Sequence, residues 1–370
     1  MSEIEVEGLR LTVLWSSFAL AFALGAVMQR THFCTLGAVA DWVNMGDLTR
    51  LRMWLFAISV AVLGTNLLAA TGQIDLSQSL YTGSRLTWLS YLVGGLSFGF
   101  GMVLASGCGS KTLVRIGGGS LKSLVVLIVM GLSAYITLKG ILAVARVNWI
   151  DPFQIEMASG QDLPRFIAAS TGGDLGMLQL GVSIGTALVL GGFCLKDREF
   201  RRTTPLFGAS AVGLLMVCAW WVSGHLGHLS EDPTTLEEVF LATNSRRMEA
   251  FSFVAPAAYT LELLMFWSDA TRVVTIGIAA VLGMTLGSAL VALTSRTFRW
   301  EGFRDVQDTA NHLVGGSLMG FGGVTAMGCT IGQGIAGVST LAIGSFLTLA
   351  ALIAGGWLGM RWQYWQIEHL

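Results

Sequence analysis

Apolar residues fill this chain in long unbroken runs, not at the spacing of a helix with one buried face or in the alternation of a half-buried strand. A run of roughly 20 mostly apolar residues fits a helix surrounded by lipid. Nine such runs occur, at about 11–29, 52–71, 87–106, 121–142, 176–195, 205–224, 273–294, 310–327 and 340–360. They predict an all-α polytopic membrane protein of about nine transmembrane helices. A tenth stretch, "FSFVAPAAYTLELLMFW" (251–267), carries Pro256 and Glu262 in its middle and predicts a short or re-entrant helix.

Composition agrees with the pattern. Of 370 residues, 53% are hydrophobic and 12% charged, against about 25% charged in soluble domains. Mean hydropathy is +0.67. A net charge of −1 gives no reason to expect nucleic acid as a partner. Five cysteines (34, 108, 194, 218 and 329) form no CxxC pair, which argues against a zinc site or a dense disulfide framework. No metal or cofactor is expected. The acidic start "MSEIEVEGLR" is the wrong n-region for a cleaved signal, so residues 11–29 are expected to remain as the first span.

Loop charges orient the spans. Arg50 and Arg52 precede the second run, and Lys111, Arg115 and Lys122 join the third to the fourth. Lys196, Arg198, Arg201 and Arg202 follow the fifth, and Arg296, Arg299 and Arg304 follow the seventh. Nine spans with the N-terminus periplasmic put all of these on the cytoplasmic side, together with the C-terminus. The opposite face receives the long connections 143–175 and 225–272.

Two runs resemble each other. "GGLSFGFGMVLASGC" (94–108) and "GGSLMGFGGVTAMGC" (315–329) agree at nine of fifteen positions without a gap, and both end on Gly-Cys. An odd interval of five spans makes the copies run in opposite directions. That predicts an inverted-topology repeat with a pseudo-two-fold axis and broken helices near the midplane. A weaker likeness joins "MQRTHFC" (28–34) to "TSRTFRW" (294–300). The expected organisation is one membrane domain, with residues 1–150 as the first repeat half, 151–270 as connecting spans and outer loop, and 271–370 as the second half.

Beyond each Gly-Cys a new short helix is expected, "SKTLVR" after Cys108 and "IGQGIAG" after Cys329. The unpaired N–H groups of a helix N-terminus attract anions. Glycine lets a ligand approach the backbone and permits a sharp turn, which assigns Gly107, Gly109 and Gly328 to the breaks. The third and eighth runs hold no Lys, Arg, Asp or Glu, and a fixed charge there would be costly. The thiol adds a soft, polarizable contact and a weak S–H donor. Cys34, Cys108 and Cys329 lie at helix ends beside glycine or an aromatic. Cys194 and Cys218 lie in ordinary apolar runs and are expected to pack. Thr330 and Gln333 stand beside the second break. Arg30 is expected to anchor the turn that carries Cys34, and Lys111 stands near the mouth of the first break. Asn311 and His312 start the eighth run, where a capping role is as natural as binding.

The stretches "RTHFC" (30–34), "GCGSKTLVRIGGGSLKS" (107–123) and "GFGGVTAMGCTIGQGIAG" (320–337) resemble the YeeE/YedE sulfur-transport family, and the likeness runs from the first span to the ninth. The resemblance implies a bacterial inner-membrane transporter that takes up thiosulfate, with nine spans plus short re-entrant helices. It also implies a central path in which Cys34, Cys108 and Cys329 pass the ion along by weak sulfur contacts. A cytoplasmic sulfur-carrier or sulfurtransferase partner is common in the family, and relatives are linked to other sulfur and selenium compounds.

Other readings fit less well. Sulfate needs no cysteine, and a soft metal cation would be repelled by the helix N-termini. A membrane sulfurtransferase using persulfide cysteines would need a base or cation beside each thiol. Cys108 has Lys111 three residues on, and Cys329 has nothing comparable, so the chain is expected not to be an enzyme. His225 and His228 ("HLGH") are expected to be solvated surface. "GSKT" lacks the Gly-Lys step and the preceding strand of a phosphate-binding loop.

Overall fold

The computed structural model describes residues 3–233 and 236–369. The chain is almost wholly helical: α1 (Glu3–Thr31), α2 (Thr35–Met45), α3 (Thr49–Ala70), α4 (Trp88–Leu104), α5 (Gly109–Gly117), α6 (Leu121–Lys139), α7 (Ile141–Trp149), α8 (Leu163–Thr171), α9 (Leu175–Leu195), α10 (Thr203–Trp221), α11 (Ala255–Met265), α12 (Ile276–Thr294), α13 (Val306–Thr325) and α14 (Ile343–His369). Sheet among the described residues is limited to two antiparallel pairs of two-residue strands, β1 (Arg85–Leu86) with β2 (Ile155–Glu156) and β3 (His228–Leu229) with β4 (Val239–Phe240). Backbone groups in lipid have no water to bond, so helices that satisfy themselves are the expected solution.

Each of the nine apolar runs lies on a long helix. Among the described residues, eight helical stretches are long and apolar enough to cross a membrane. α13 is not among them, because Gln307, Asp308, Asn311 and His312 crowd its first two turns. It packs between α4 and α6 nonetheless. Leu188 and Val189 on α9 are 70% and 72% exposed, and Leu282, Leu286, Leu290 and Leu293 form an exposed stripe on α12. Apolar surface that continuous belongs against lipid. The protein is a multi-pass membrane protein.

Polar connections start the outer helices by ordinary rules. Asp305 caps α13 by accepting from the Asp308 N–H at 2.7 Å, and Asp174 caps α9 through Met177 at 2.9 Å. Asp305 therefore takes the cap position that the sequence offered to Asn311 and His312. Asn311 accepts from Gln307, and His312 is buried against the Asp308 carbonyl at 2.7 Å.

Glycine seams hold the interior. A Cβ on Gly101 would stand 2.7 Å from the Gly315 carbonyl oxygen, and one on Gly315 would stand 2.6 Å from that of Gly101. Gly94 and Gly322 meet in the same way, so α4 and α13 touch backbone to backbone. Gly95 and Gly99 pack on Ala351, Thr348 and Leu352 of α14. Their counterparts Gly316 and Gly320 pack on Val129, Val126 and Met130 of α6. α1 lies along α12, and α3 lies along α10.

The two breaks also match bond for bond. Gly107 N–H donates to Met102 O at 2.9 Å and Gly328 N–H to Gly323 O at 2.8 Å; Thr112 N–H donates to Cys108 O and Gln333 N–H to Cys329 O, both at 2.8 Å. The next left-handed turn falls at Gly119 in one copy and Leu341 in the other. The second copy thus holds one residue more, which a π-helical segment (Gly332–Gly337) takes up.

Candidate functional site

Three helices begin on a cysteine. Cys34 caps α2, and its sulfur accepts from the Gly37 N–H at 3.4 Å. Cys108 caps α5, its sulfur 3.3 Å from Ser110 Oγ. Cys329 opens the third, accepting from the Gly332 N–H at 3.4 Å. Helix N-termini usually recruit a Ser, Thr, Asp or Asn oxygen here. A thiol is a weaker acceptor and leaves the first N–H groups less fully satisfied. Cys108 and Cys329 are fully buried, and Cys34 is half-buried. Cys108 lies within electrostatic reach of both Cys34 and Cys329.

The turn before each cysteine is the same, and it is not made by glycine. His32, Ser106 and Met327, each two residues ahead of its cysteine, have φ of +53°, +56° and +57°. The left-handed region costs a side chain about 1–2 kcal/mol. Gly107 and Gly328, expected to permit a sharp turn at the breaks, follow it instead. Their role is close approach, since a Cβ on Gly328 would stand 3.0 Å from Gln333 Cγ and one on Gly107 3.3 Å from Lys111 Cγ. Gly109 has only ordinary contacts around its Cβ position, to Met130 and Val254 at 3.7 Å.

The other sequence candidates divide. Thr330 is wholly buried, and its hydroxyl has no hydrogen-bond partner. Gln333 is fully engaged as a brace across the break, donating to Ala326 O at 2.6 Å and accepting from Ser345 Oγ at 2.6 Å. Arg30 is exposed and has no bonding partner among the described residues, so no side-chain bond from it anchors the Cys34 turn. Arg50 does that work: it stands against Gly37 and pairs with Asp41 at 3.3 Å. Cys194 packs, donating to Arg52 O at 3.3 Å. Cys218 is exposed on the flank of α10. His225 and His228 are bound to Gln73 O at 3.0 Å and to Glu238 at 2.7 Å. No cluster of metal-ligating side chains occurs among the described residues.

Two cavities flank the thiols, and each break opens into one through its left-handed residue. Ser106 lines a cavity of about 630 Å³ with His32, Lys111, Arg115, Arg299 and Arg304, where Glu301 is the acidic partner of Arg115 at 3.4 Å. Met327 and Gly328 line a cavity of about 260 Å³ with Tyr81, Arg146, Ser252 and Tyr259.

The connection 225–272, which carries the stretch expected to be a short or re-entrant helix, enters the protein. Phe251, Phe253 and Val254 are buried, and Ser252 Oγ lies 3.9 Å from the Cys329 sulfur. The main-chain N–H groups of Ile331 and Phe253 face the same sulfur. Ser252 and Tyr81 carried no signal in the sequence, because both reach the site from loops.

The thiosulfate transporter TsuA of Escherichia coli (strain K12) is 26% identical to this chain over 361 residues, 94% of this chain and 93% of the relative. The thiosulfate transporter TsuA of Spirochaeta thermophila is 25% identical over 353 residues, 95% of this chain and 98% of the relative. Residues 30–358 match the profile described as sulphur transport, and with all three cysteine-headed breaks inside that span, the chain belongs to the sulphur transport family.

Proposed function

We propose that the protein carries thiosulfate inward across the bacterial inner membrane, from the 260 Å³ cavity past Cys329, Cys108 and Cys34 to the 630 Å³ cavity. The observation that carries this reading is the set of three cysteines at three helix starts, with Cys108 in electrostatic contact with both Cys34 and Cys329. Thiosulfate has negative oxygens for the under-satisfied N–H groups and a terminal sulfur for the thiols. The unpartnered Thr330 hydroxyl offers one more donor.

The path lies between inverted repeats. Matching glycine contacts and break hydrogen bonds support this, as does the exchange of partners in which α4 packs on α14 while α13 packs on α6. The pairing of α1 with α12 and of α3 with α10 extends the exchange. It makes α1–α6 one half and α10–α14 the other, with α7–α9 between, so the second half begins at α10 and not at residue 271. α1 then corresponds to α10, and the likeness of 28–34 to 294–300 falls outside the repeat. With α13 counted as a ninth span, the N-terminus is periplasmic, the C-terminus is cytoplasmic, and the basic cavity around Lys111 opens inward. A cytoplasmic sulfur-carrier or sulfurtransferase would meet the ion there.

The test is uptake of labelled thiosulfate into proteoliposomes by the intact protein and by Cys34→Ser, Cys108→Ser, Cys329→Ser and Cys218→Ser. Loss with the first three and retention with the last is expected. Equal uptake by all would refute the thiol path. No uptake by a folded protein, with selenium or other sulfur anions carried instead, would refute thiosulfate as cargo.

A further inference from the structure

The outer cavity holds one acidic side chain that the path does not use. Glu249 belongs to the segment that delivers Ser252 to Cys329, and it lines the 260 Å³ cavity together with Arg146, Tyr81, Tyr259 and Gly328. Its main-chain N–H donates to Ser223 Oγ at 3.0 Å, and its Oε2 accepts from Ser245 Oγ at 3.0 Å. The Asn244 main-chain N–H also points at the carboxylate. The side chain is therefore fixed in place.

No cation pairs with it among the described residues. Arg146 of α7, the cavity's cation, pairs with Asp151 at 3.5 Å. Arg246 and Arg247, on the same segment, are exposed and form no ion pair with it. The groups facing Glu249 from neighbouring elements are the phenols of Tyr81, from the connection after α3, and Tyr259 of α11. Burial raises the pKa of both, so neither supplies a charge near neutrality. The break contributes Gly328, and α12 contributes Ile276 and Gly277, which bring no charge.

An anion in this cavity shares it with that carboxylate. Like charges repel strongly where protein excludes water. A proton on Glu249 removes the repulsion and leaves Arg146 to attract. We propose that Glu249 is a protonation gate, admitting a dianion to the outer cavity when the carboxyl is neutral and so linking uptake to external acidity. The inference rests on the reading of the chain as a carrier of a sulfur oxyanion. Burial lifts Glu249 to about 7, against the opposing pull of Ser245 and Asn244, so the proton exchanges near neutrality.

The experiment is uptake of labelled thiosulfate into proteoliposomes at fixed internal pH, with external pH set at about 6 or about 8. Going from the first to the second lowers the protonated fraction, and with it wild-type uptake, on the order of tenfold. Glu249→Gln removes the dependence and keeps uptake near the acid rate at both values. Glu249→Asp, which still titrates, keeps a dependence. A Glu249→Gln protein with the wild-type pH slope overturns the gate, and so does one that elutes as a folded monodisperse species yet carries nothing at either pH. An infrared difference titration reads the carboxyl directly and needs no transport. A protonated-carboxyl band that grows in below neutrality and is missing from Glu249→Gln supports the gate even where thiosulfate is not the cargo. A Glu249 that stays ionised down to about pH 5 overturns it.

Discussion

Ser252 Oγ lies 3.9 Å from Cys329 Sγ although 77 residues separate them in the chain. The contact places a hydroxyl from a non-helical segment beside a fully buried thiol. It orients the sulfur toward the break, where Gly332 N–H already holds it. A hydrogen bond of this kind contributes about 0.5–1.5 kcal/mol. Ser252→Ala is expected to slow thiosulfate uptake by roughly 2- to 10-fold, with little change in melting temperature. A rate equal to wild type would show that the contact is incidental.

Thr330 separates transport from stability. Its buried hydroxyl has no partner, and burying one unpaired costs about 1–3 kcal/mol. Thr330→Val keeps the shape and removes the hydroxyl, so detergent stability should hold or rise. Uptake should fall roughly tenfold or more if that hydroxyl serves the passing anion. A stability loss without a transport defect would assign Thr330 to packing.

The glycine seams give a contrast within one residue type. At Gly101 a methyl group would press on the Gly315 carbonyl oxygen at 2.7 Å, whereas at Gly181 on α9 nothing lies within 4 Å. Gly101→Ala is expected to destabilise by about 1–3 kcal/mol through overpacking. Gly181→Ala should be neutral or stabilise by up to about 1 kcal/mol through helix propensity. Thermal unfolding in detergent checks both, and equal shifts would mean that the seam is not a close contact.

Glu301 makes the seam between the α5–α6 turn and the connection before α13 acid-sensitive. Its carboxylate accepts from Lys122, which lies 2.8 Å away and is buried, and is also paired with Arg115. The Lys122 hydrogen bond, with the nearby charges, holds its pKa below the ordinary glutamate value despite partial burial. A depressed folded pKa contributes stability above the unfolded value, and that contribution is lost as pH falls through the folded one. Melting temperature should therefore drop on acidification below about pH 4, and Glu301→Gln should show a shallower drop from a lower starting point. An identical acid profile in the variant would exclude this carboxylate as the cause.

Much of the architecture was legible because lipid simplifies the code. Unbroken apolar runs marked the helices, and the two Gly-Cys endings marked the breaks at Cys108 and Cys329 in phase. What remained hidden depends on neighbours distant in sequence. The left-handed residues are Ser106 and Met327, which nothing in their side chains announces; the glycines beside them drew the inference instead. Arg30 looked like an anchor by position, but the side chain that packs on α2 is Arg50, set across the turn by α3. Glu249 sits just ahead of the stretch 251–267 expected to re-enter, and nothing local to it or to Ser252 says which residues they will face; only tertiary packing sets that.

The swap of helix partners fixes when the protein can become functional during synthesis. Gly95 and Gly99 of α4 find their matching surface only on α14, which is synthesised long after α4. Until then the face of α4 that carries Gly95 and Gly99 stands in the bilayer uncovered. Contacts this far apart in the chain form late. The early segments must therefore persist as inserted helices until α14 joins them, and the α4–α14 seam closes late in assembly rather than within the first half alone.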